Sequence, residues 1–140
     1  MEDCVFCKIV AGKIPCAKVY ENEDVLAFLD IAPATPRKGH VLVIPKEHFS
    51  TMAEMPEEAI HEVFSVVKKV SFALMRESDG VNVIQNNGQA SGQLVPHFHV
   101  HVVPRYEKDG VRLGIWESYR YEGTEMAKVQ ERIKKLLNGD

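Results

Sequence analysis

The stretch HFHVHVVP, residues 97–104, places a histidine at every second position and an apolar residue after each one. Side chains of a β-strand alternate between the two faces of a sheet, so His97, His99 and His101 are predicted to share one face. The apolar residues between them are predicted to point into the core. Half of the six histidines of the chain lie here. The stretch therefore predicts a strand that carries a row of imidazoles.

Four other short apolar runs predict further strands. Each is bounded by turn residues such as Asn, Asp, Gly or Pro, and the connections before the long helix are short, which favours antiparallel pairing. The predicted strands are Lys18–Tyr20, Val25–Leu29, residues 40–45 and residues 81–85. Between the last of these and the histidine strand lies NNGQASGQ, residues 86–93, which predicts a polar loop.

Apolar residues recur at intervals of three and four between residues 55 and 80, which predicts an amphipathic helix. Pro56 suits its first turn and Gly80 follows its end. The apolar stripe comprises Ile60, Val63, Phe64, Val67, Val70 and Leu74. Thr124 is predicted to cap a second, C-terminal helix whose apolar residues are Met126, Val129, Ile133 and Leu136. The sequence therefore predicts an α+β fold in a single domain, residues 1–140: an antiparallel β-sheet with one long helix packed on it and a C-terminal helix.

Composition and charge exclude several classes of partner. The chain has 140 residues, a net charge of −3 and 45% hydrophobic residues, which are ordinary values for a globular protein. A weakly acidic chain has no general attraction for a nucleic acid polymer or an anionic membrane. No run approaches the ~18 apolar residues of a membrane span. The opening residues MEDCVFCKIV lack the apolar region of a secretory signal, so a cytoplasmic location is expected.

Three roles are open for the alternating histidines. They could be a solvated polar face, a metal site built from imidazoles, or a centre for phosphoryl or nucleotidyl transfer in which one imidazole attacks phosphorus. The loop at residues 86–93 favours the third role, because its glycine N–H groups and amide side chains are suited to phosphate oxygens.

These residues resemble the histidine triad (HIT) superfamily of nucleotide hydrolases and transferases, whose motif is His-x-His-x-His followed by two apolar residues. The stretches CKIVAGKIP, VLAFLDI, GHVLVIPKEH and NNGQASGQ also fall in the order and spacing of that family. About the last thirty residues match weakly. The resemblance covers most of the chain and implies a purine nucleotide as substrate.

The resemblance implies a nucleotidyl hydrolase or transferase that acts on the α-phosphate of a nucleotide derivative, such as an adenosine phosphoramidate or a dinucleoside polyphosphate. His99 would be the nucleophile and form a covalent nucleotidyl-histidine intermediate, while His101 and Gln93 would contact the phosphate. Asn86 would contact phosphate or ribose, and Asp30 the ribose hydroxyls. The residues implied to line the base pocket are Val5, Phe6, Ile9, Phe28, Leu29 and Ile31.

Leu94 departs from the family pattern, which often has a hydroxyl residue after the Gly-Gln pair. A leucine cannot donate or relay a proton, so the preferred leaving group is open. A nucleotide-binding module with little turnover is therefore the alternative to an enzyme. A zinc hydrolase that uses the histidines as metal ligands is the third hypothesis.

Cys4 and Cys7 form a C-x-x-C pair, which is half of a tetrahedral zinc site. The resemblance implies His48 and His97 as the other two ligands of a structural zinc ion. Buried free thiols or a redox pair are the other readings of the two cysteines. The resemblance also implies a homodimer and places His40 near the site, while His61, in the long helix, receives no role.

Overall fold

The computed structural model describes residues 3–139, and within them the chain forms one antiparallel sheet of five strands. The strands lie side by side in the order β1-β2-β3-β5-β4. Their bounds are β1 Lys18–Glu21, β2 Val25–Leu29, β3 Val41–Pro45, β4 Gly80–Gln85 and β5 Val100–Arg105. The predicted α+β class and the antiparallel pairing are confirmed.

Three α-helices accompany the sheet in the described part of the chain. They are α1 Val5–Val10, α2 Glu57–Met75 and α3 Glu125–Leu137, with short 3-10 turns at Met52–Glu54 and Gln89–Ser91. Helix α2 is the predicted long helix, and it packs across β2 to β5. Pro56 lies one position before α2, in extended backbone, and not in its first turn as predicted. A proline fits there because no intrahelical N–H bond is required at a helix start.

Alternation along the strands sorts the apolar residues onto two faces. On the face covered by α2, the buried cluster includes Val25, Ala27, Val41, Val43, Phe98, Val100 and Val102 together with the stripe of the helix. Val66 is buried in that stripe although the predicted set omitted it. On the opposite face the buried residues are Cys4, Phe6, Leu26, Phe28, Leu42 and Ile44. The histidines of the triad alternate with residues of the first cluster and therefore lie on the second face.

Helix α1 covers part of this second face, whereas the sequence predicted a helix on one side only. Its start carries no residue of the usual capping types; instead the sulfur of Cys4 accepts the N–H of Cys7 at 3.4 Å. Phe6 is the buried residue of α1 and its ring meets the ring of Phe28 edge to face, with centroids 5.7 Å apart. A six-residue helix with a sulfur cap gives too weak a pattern to be recognised in the sequence.

Strand β5 begins at Val100, so two of the three histidines precede the strand that was predicted to carry them all. The N–H of His97 donates to the carbonyl of Val95, and the N–H of Phe98 donates to the carbonyl of Phe49 at 2.6 Å. These bonds hold the backbone of residues 97 and 98 against neighbouring loops, so pairing with the sheet begins only at Val100. The alternation of side chains nevertheless persists, because Phe98 is fully buried in the first cluster.

Helix α3 projects its apolar residues without covering the sheet. Thr124 occupies the predicted cap position, but its side chain makes no capping hydrogen bond. Met126 is 61% exposed, Ile133 46% and Leu136 64%. Within residues 3–139, none of the helices combines the length and the apolar character needed to traverse a bilayer.

Candidate active site

The three histidines are withdrawn from solvent to different degrees. His97 is fully buried, His99 is 6% exposed and His101 is half-buried. The ring of Phe6 meets His99 edge to face with centroids 5.2 Å apart, and His101 lies on the other side of His99 at 5.0 Å. The interpretation as a solvated polar face is therefore wrong.

The protonated nitrogen of His99 is fixed by its contact with the backbone. Nδ1 of His99 lies 2.7 Å from the carbonyl oxygen of His97. Because a carbonyl can only accept, Nδ1 must carry the proton and donate it. Burial lowers the pKa of His99, so the ring is favoured in its neutral form. Nε2 of His99 therefore holds an unprotonated lone pair, which a nucleophile requires.

A chain of two hydrogen bonds fixes the tautomer of His101 in the same way. The N–H of Ala34 donates to Nδ1 of His40 at 3.1 Å, so the proton of that ring is on Nε2. Nε2 of His40 donates to Nδ1 of His101 at 2.9 Å. His101 is then left with its proton on Nε2. Burial lowers the pKa of His101 to about 4 and also lowers the pKa of His40, so both rings are neutral near pH 7.

Asp30 lies at the His101 end of the row. One of its carboxylate oxygens is 3.6 Å from Nε2 of His40, and the other accepts the N–H of Ala32. The donor atoms of Asp30, His40 and His101 all lie within 4.8 Å of one another, as metal ligands do. The backbone N–H of Ala34, however, keeps the proton of His40 on Nε2, which leaves no lone pair there for a metal ion. These three residues therefore form a hydrogen-bonded group.

Gln93 is 7% exposed and joins two loops through both ends of its amide. Its Oε1 accepts the N–H of Gly88 at 2.7 Å, and its Nε2 donates to the carbonyl of Ser50 at 2.7 Å. The side chain was predicted to contact phosphate, but in this structure its amide holds backbone groups.

The expectation that glycine N–H groups of residues 86–93 are open to phosphate needs a correction. The N–H groups of Ser91 and Gln93 donate to the carbonyl of Gly88, and that of Gly92 donates to the carbonyl of Gln89. Together with the Gly88 bond to Gln93, these contacts close the loop on itself. Asn86, the other predicted contact in this loop, is half-buried beside Gly92.

The residues predicted to line a base pocket divide into two groups. Phe6 and Phe28 are buried in contact with each other, and Ile9 packs against the same cluster. The other three stand out into solvent: Val5 is 39% exposed, Leu29 38% and Ile31 100%. Phe6 forms the floor beside His99. Leu29, by contrast, pairs with Val41 and lines a cavity with Val70 of α2, so it lies on the face opposite the histidines and the prediction that it lines a base pocket beside them needs this correction.

Cys4, Cys7, His48 and His97 converge from three separate parts of the chain. Their donor atoms all lie within 4.8 Å of one another. Nδ1 of His97 is 3.3 Å from the sulfur of Cys4 and 3.6 Å from that of Cys7. Nδ1 of His48 is 3.3 Å from the sulfur of Cys7 and 3.2 Å from Nδ1 of His97. The structure thus brings together the four residues that the resemblance implied.

These separations match the edges of a zinc tetrahedron. With zinc bonds of usual length, two nitrogen ligands lie about 3.4 Å apart and a nitrogen and a sulfur about 3.6 Å apart. Nε2 of His97 donates to the carbonyl of Pro45 at 2.9 Å, which leaves the lone pair of Nδ1 directed at the cluster. Burial raises the pKa of the Cys7 thiol, so without a cation its thiolate is disfavoured. The donor set and its geometry fit a tetrahedral metal ion.

His97 connects the cluster to the triad, because its ring faces the sulfurs while its carbonyl accepts the proton of His99. Two backbone groups that orient side chains of the site could not be predicted from the sequence. They are the N–H of Ala34, which bonds to His40, and the carbonyl of Ser50, which bonds to Gln93. They are backbone atoms and act through position alone, so only the folded chain reveals them.

Comparison with known proteins places the chain among relatives along most of its length. A model of the HIT domain matches residues 11–108. The chain is 43% identical over 140 residues to Protein hit of Bacillus subtilis, covering 97% of this chain and 95% of that one. It is 46% identical over 135 residues to a protein of Schizosaccharomyces pombe named adenosine 5'-monophosphoramidase, covering 96% and 98%.

Solved structures agree with the sequence matches. A crystal structure of a HIT family member from Bacillus subtilis superimposes with a TM-score of 0.85 at 43% identity and covers 95% of this chain and 96% of that chain. A histidine triad family protein from Mycobacterium smegmatis, described as zinc-bound, gives 0.75 at 33% identity and covers 99% of each chain. The domain match, the relatives and the shared architecture together show that the chain belongs to the histidine triad family.

Proposed function

We propose that the protein hydrolyses the bond between the α-phosphorus of a purine nucleotide and its leaving group, through a transient nucleotidyl group on Nε2 of His99. The observation that carries this proposal is the 2.7 Å bond from Nδ1 of His99 to the His97 carbonyl, which leaves Nε2 with its lone pair. The relatives named adenosine 5'-monophosphoramidase give the class, a histidine-triad hydrolase of the phosphoramidase type. They support an adenosine phosphoramidate as the first substrate to test.

The reaction would proceed in two displacements at phosphorus. In the first, the bond from Nε2 of His99 to phosphorus forms as the phosphorus–nitrogen bond breaks, and the departing amine takes a proton from solvent. In the second, a water oxygen bonds to phosphorus, the bond to His99 breaks, and the water releases its proton. The products are the free amine and the nucleoside monophosphate. Two such steps each have a lower barrier than direct attack by water.

The neighbours of His99 supply the remaining roles in this proposal. His101, whose proton is held on Nε2, would donate a hydrogen bond to a phosphoryl oxygen. Asp30, beside His40, would accept the ribose hydroxyls. Phe6 and Phe28 would line one side of the base, with the exposed Ile31 and Val5 and the nearby Ile9 around it. Gln93, predicted as a phosphate contact, is assigned here the role of holding the loop.

A single-turnover experiment tests the nucleophile. The parent protein and His99→Ala are each mixed, in excess over the substrate, with adenosine phosphoramidate. Bound substrate, released nucleotide and covalent adduct are then measured. His99→Ala should bind the substrate but form neither adduct nor product. His61→Ala is the matched control, because His61 is an exposed helical histidine, and it should react like the parent. An adduct that persists in His99→Ala would contradict the proposal.

A nucleotide-binding module with little turnover is the second candidate. Leu94 favours it, because this 89% exposed side chain cannot protonate a leaving group at the position after Gln93. The same experiment separates the candidates, since a binding module would release no nucleotide in the parent and His99→Ala would change affinity only.

We also propose that Cys4, Cys7, His48 and His97 hold a structural zinc ion. When bound, the ion would cross-link the N-terminal segment to the triad, and four protein ligands would leave it no open position for chemistry. The geometry of the four donors supports this proposal, as does the zinc-bound relative from Mycobacterium smegmatis. A zinc hydrolase, by contrast, requires turnover to stop as soon as a chelator removes the metal.

A homodimer is proposed from the uncovered apolar side chains of α3. Met126, Ile133 and Leu136 are each about half exposed or more in the single chain, and burying such a stripe against a second copy is favourable. The mass in solution, measured by light scattering, should be twice 15.8 kDa. The cytoplasmic location stays a prediction.

A further inference from the structure

A cavity of about 280 Å³ lies on the face of the sheet opposite the histidines, between the β1 side of the sheet and helix α2. Its apolar lining comes from the strands through Val19, Leu29 and Val41 and from the helix through Val70 and Leu74. Val41 and Val70 belong to the buried cluster beneath α2, whereas Val19 is 51% exposed. The cavity is therefore a lateral opening of the apolar core to solvent, and its size suits a short aliphatic chain.

An irregularity in β1 shapes the strand side of this cavity. The register between β1 and β2 shifts at a β-bulge between Lys18 and Tyr20. In a regular strand Val19 and Tyr20 would point to opposite faces, but a bulge re-aims a side chain, and both residues line the cavity here. On the helix side the short side chain of Ala73 leaves the space unfilled. The cavity thus follows from the backbone of β1 and exists before any ligand binds.

The charge around the cavity restricts the chemistry of its ligand. Among the described residues that line it, Lys69 is the one with a charge, and none is Asp or Glu. The ammonium of Lys69 lies 5.5 Å from the centre of the Tyr20 ring, which is also part of the lining. Within residues 3–139 this ammonium forms no ion pair. A ligand with an apolar body and one negative charge is therefore complementary both to the apolar lining and to Lys69.

The cavity lies directly behind the Asp30 end of the histidine row. Leu29, which lines the cavity, precedes Asp30 in the chain, and Gly39 and Val41, which also line it, flank His40. The N–H of Asp30 donates to the carbonyl of His40 at 2.9 Å, so the main chain joins the two segments. A ligand in the cavity would be separated from a nucleotide at the histidine face by the thickness of the sheet alone.

We propose that this cavity is a second ligand site of the protein and that it binds a monocarboxylate with an aliphatic chain. The chain lies among Val19, Leu29 and Leu74, and the carboxylate pairs with the ammonium of Lys69. This site does not depend on the proposed hydrolase function. Because the two sites lie on opposite faces of the sheet, the carboxylate and a nucleotide are bound at the same time.

The test titrates the full chain with octanoate, and it measures affinity by calorimetry and location by amide NMR. Octanoate should bind and shift the amide signals of residues 29–30, 39–41 and 69–74. Acetate, which lacks the chain, should bind at least about tenfold more weakly, because each buried methylene group adds to affinity. Octylammonium has the same chain and the opposite charge, and it should bind at least about threefold more weakly because Lys69 repels it. Adding AMP should leave the affinity for octanoate unchanged.

Variants of the cavity test the two parts of the ligand separately. Ala73→Leu places a larger side chain in the cavity and should weaken octanoate binding at least about tenfold. Lys69→Met keeps the length of the side chain without its charge and should weaken binding about threefold, as expected for an exposed ion pair. Ala127→Leu on α3 and Lys68→Met on α2 are the matched controls, because both positions are exposed and outside the cavity. Both controls should bind octanoate like the parent.

Four results would overturn this site. They are no binding of octanoate, equal binding of octanoate and acetate, unchanged binding in both cavity variants, and amide shifts at the histidine face with loss of octanoate when AMP is added. The mass in solution tests a second copy of the chain as the occupant. If octanoate converts dimers to single chains, the cavity is an interface between copies and the ligand site is wrong. None of these results changes the expectation for His99→Ala.

Discussion

His40 and His101 share one hydrogen bond of 2.9 Å between ring nitrogens, and a backbone N–H behind His40 decides which of the two rings donates. Because both rings are withdrawn from solvent, their pKa values are lowered and neither is a cation at neutral pH. The main-chain N–H of Ala34 therefore determines that the proton of His101 is on Nε2, although Ala34 has no polar side chain. This link makes His40 a positioning residue for His101.

Replacing His40 should disturb the tautomer of His101 without removing any group that touches substrate. In the parent, nitrogen NMR of labelled histidine should show the proton of His101 on Nε2 and that of His99 on Nδ1. In His40→Ala, His101 should become a mixture of tautomers, and kcat should fall up to about tenfold, the value of one hydrogen bond, with little change in KM. A parent spectrum with His101 protonated on Nδ1 would contradict the assignment.

Acidification should weaken the fold through His101. Its folded pKa of about 4 lies below the ordinary value of 6.5, so the unfolded chain binds the proton more readily. The contribution of neutral His101 to the free energy of unfolding is therefore fully present above pH 6.5, and it is lost as the pH falls towards 4. For a half-buried ring the loss amounts to about 2 kcal/mol after allowance for screening. Urea unfolding at pH 7 and pH 4.5 measures it, and His101→Leu should show a smaller decrease than the parent.

Replacing Cys7, one of the four proposed zinc ligands, should release the metal, whereas replacing Cys16, which lies outside that cluster, should not. The purified parent should contain one zinc ion per chain by elemental analysis. Cys7→Ser should lose it and melt at least about 5 °C lower, because a bound ion stabilises the folded state only. Cys16→Ser is the matched control, since Cys16 is a free, half-buried cysteine outside the cluster. A Cys7→Ser protein that keeps its zinc would overturn the site.

Strong periodic patterns carried most of the fold. The apolar runs at residues 25–29 and 41–45 predicted two of the strands, the alternation through residues 97–104 predicted which residues of the histidine stretch are buried, and the spacing in α2 predicted the long helix. Helix α1 escaped prediction because its cap is a sulfur. The start of β5 was placed too early because loop contacts at Val95 and Phe49, which no alternation reveals, hold the backbone out of the sheet.

The candidate site was predictable where side chains carry the chemistry and unpredictable where backbone does. The convergence of Cys4, Cys7, His48 and His97 was implied by family resemblance, and the structure brings them together. The closed loop at residues 86–93 was not foreseen, because glycines and amides indicate only that N–H groups are available. Whether those groups face a ligand or the loop itself depends on where the side chain of Gln93 lies.

The role of Gln93 as a clamp gives the last prediction. Gln93→Ala removes the acceptor of the Gly88 N–H and the donor to the Ser50 carbonyl, so two backbone groups lose their partners. The free energy of unfolding should fall by about 2 kcal/mol, as for hydrogen bonds lost from a buried site. Gln130→Ala, which changes an exposed glutamine of α3, should alter it by less than about 0.5 kcal/mol.

A second readout separates the clamp from a contact to phosphate. Gln93→Glu keeps an acceptor for Gly88 but sets a carboxylate against the Ser50 carbonyl, so it should open the link between the two loops. Hydrogen exchange at residues 88–93 should then quicken in the absence of nucleotide, which a residue that only binds phosphate would not produce. If exchange and stability match those of the parent in both variants, while KM alone rises, Gln93 is a phosphate ligand and the clamp is wrong.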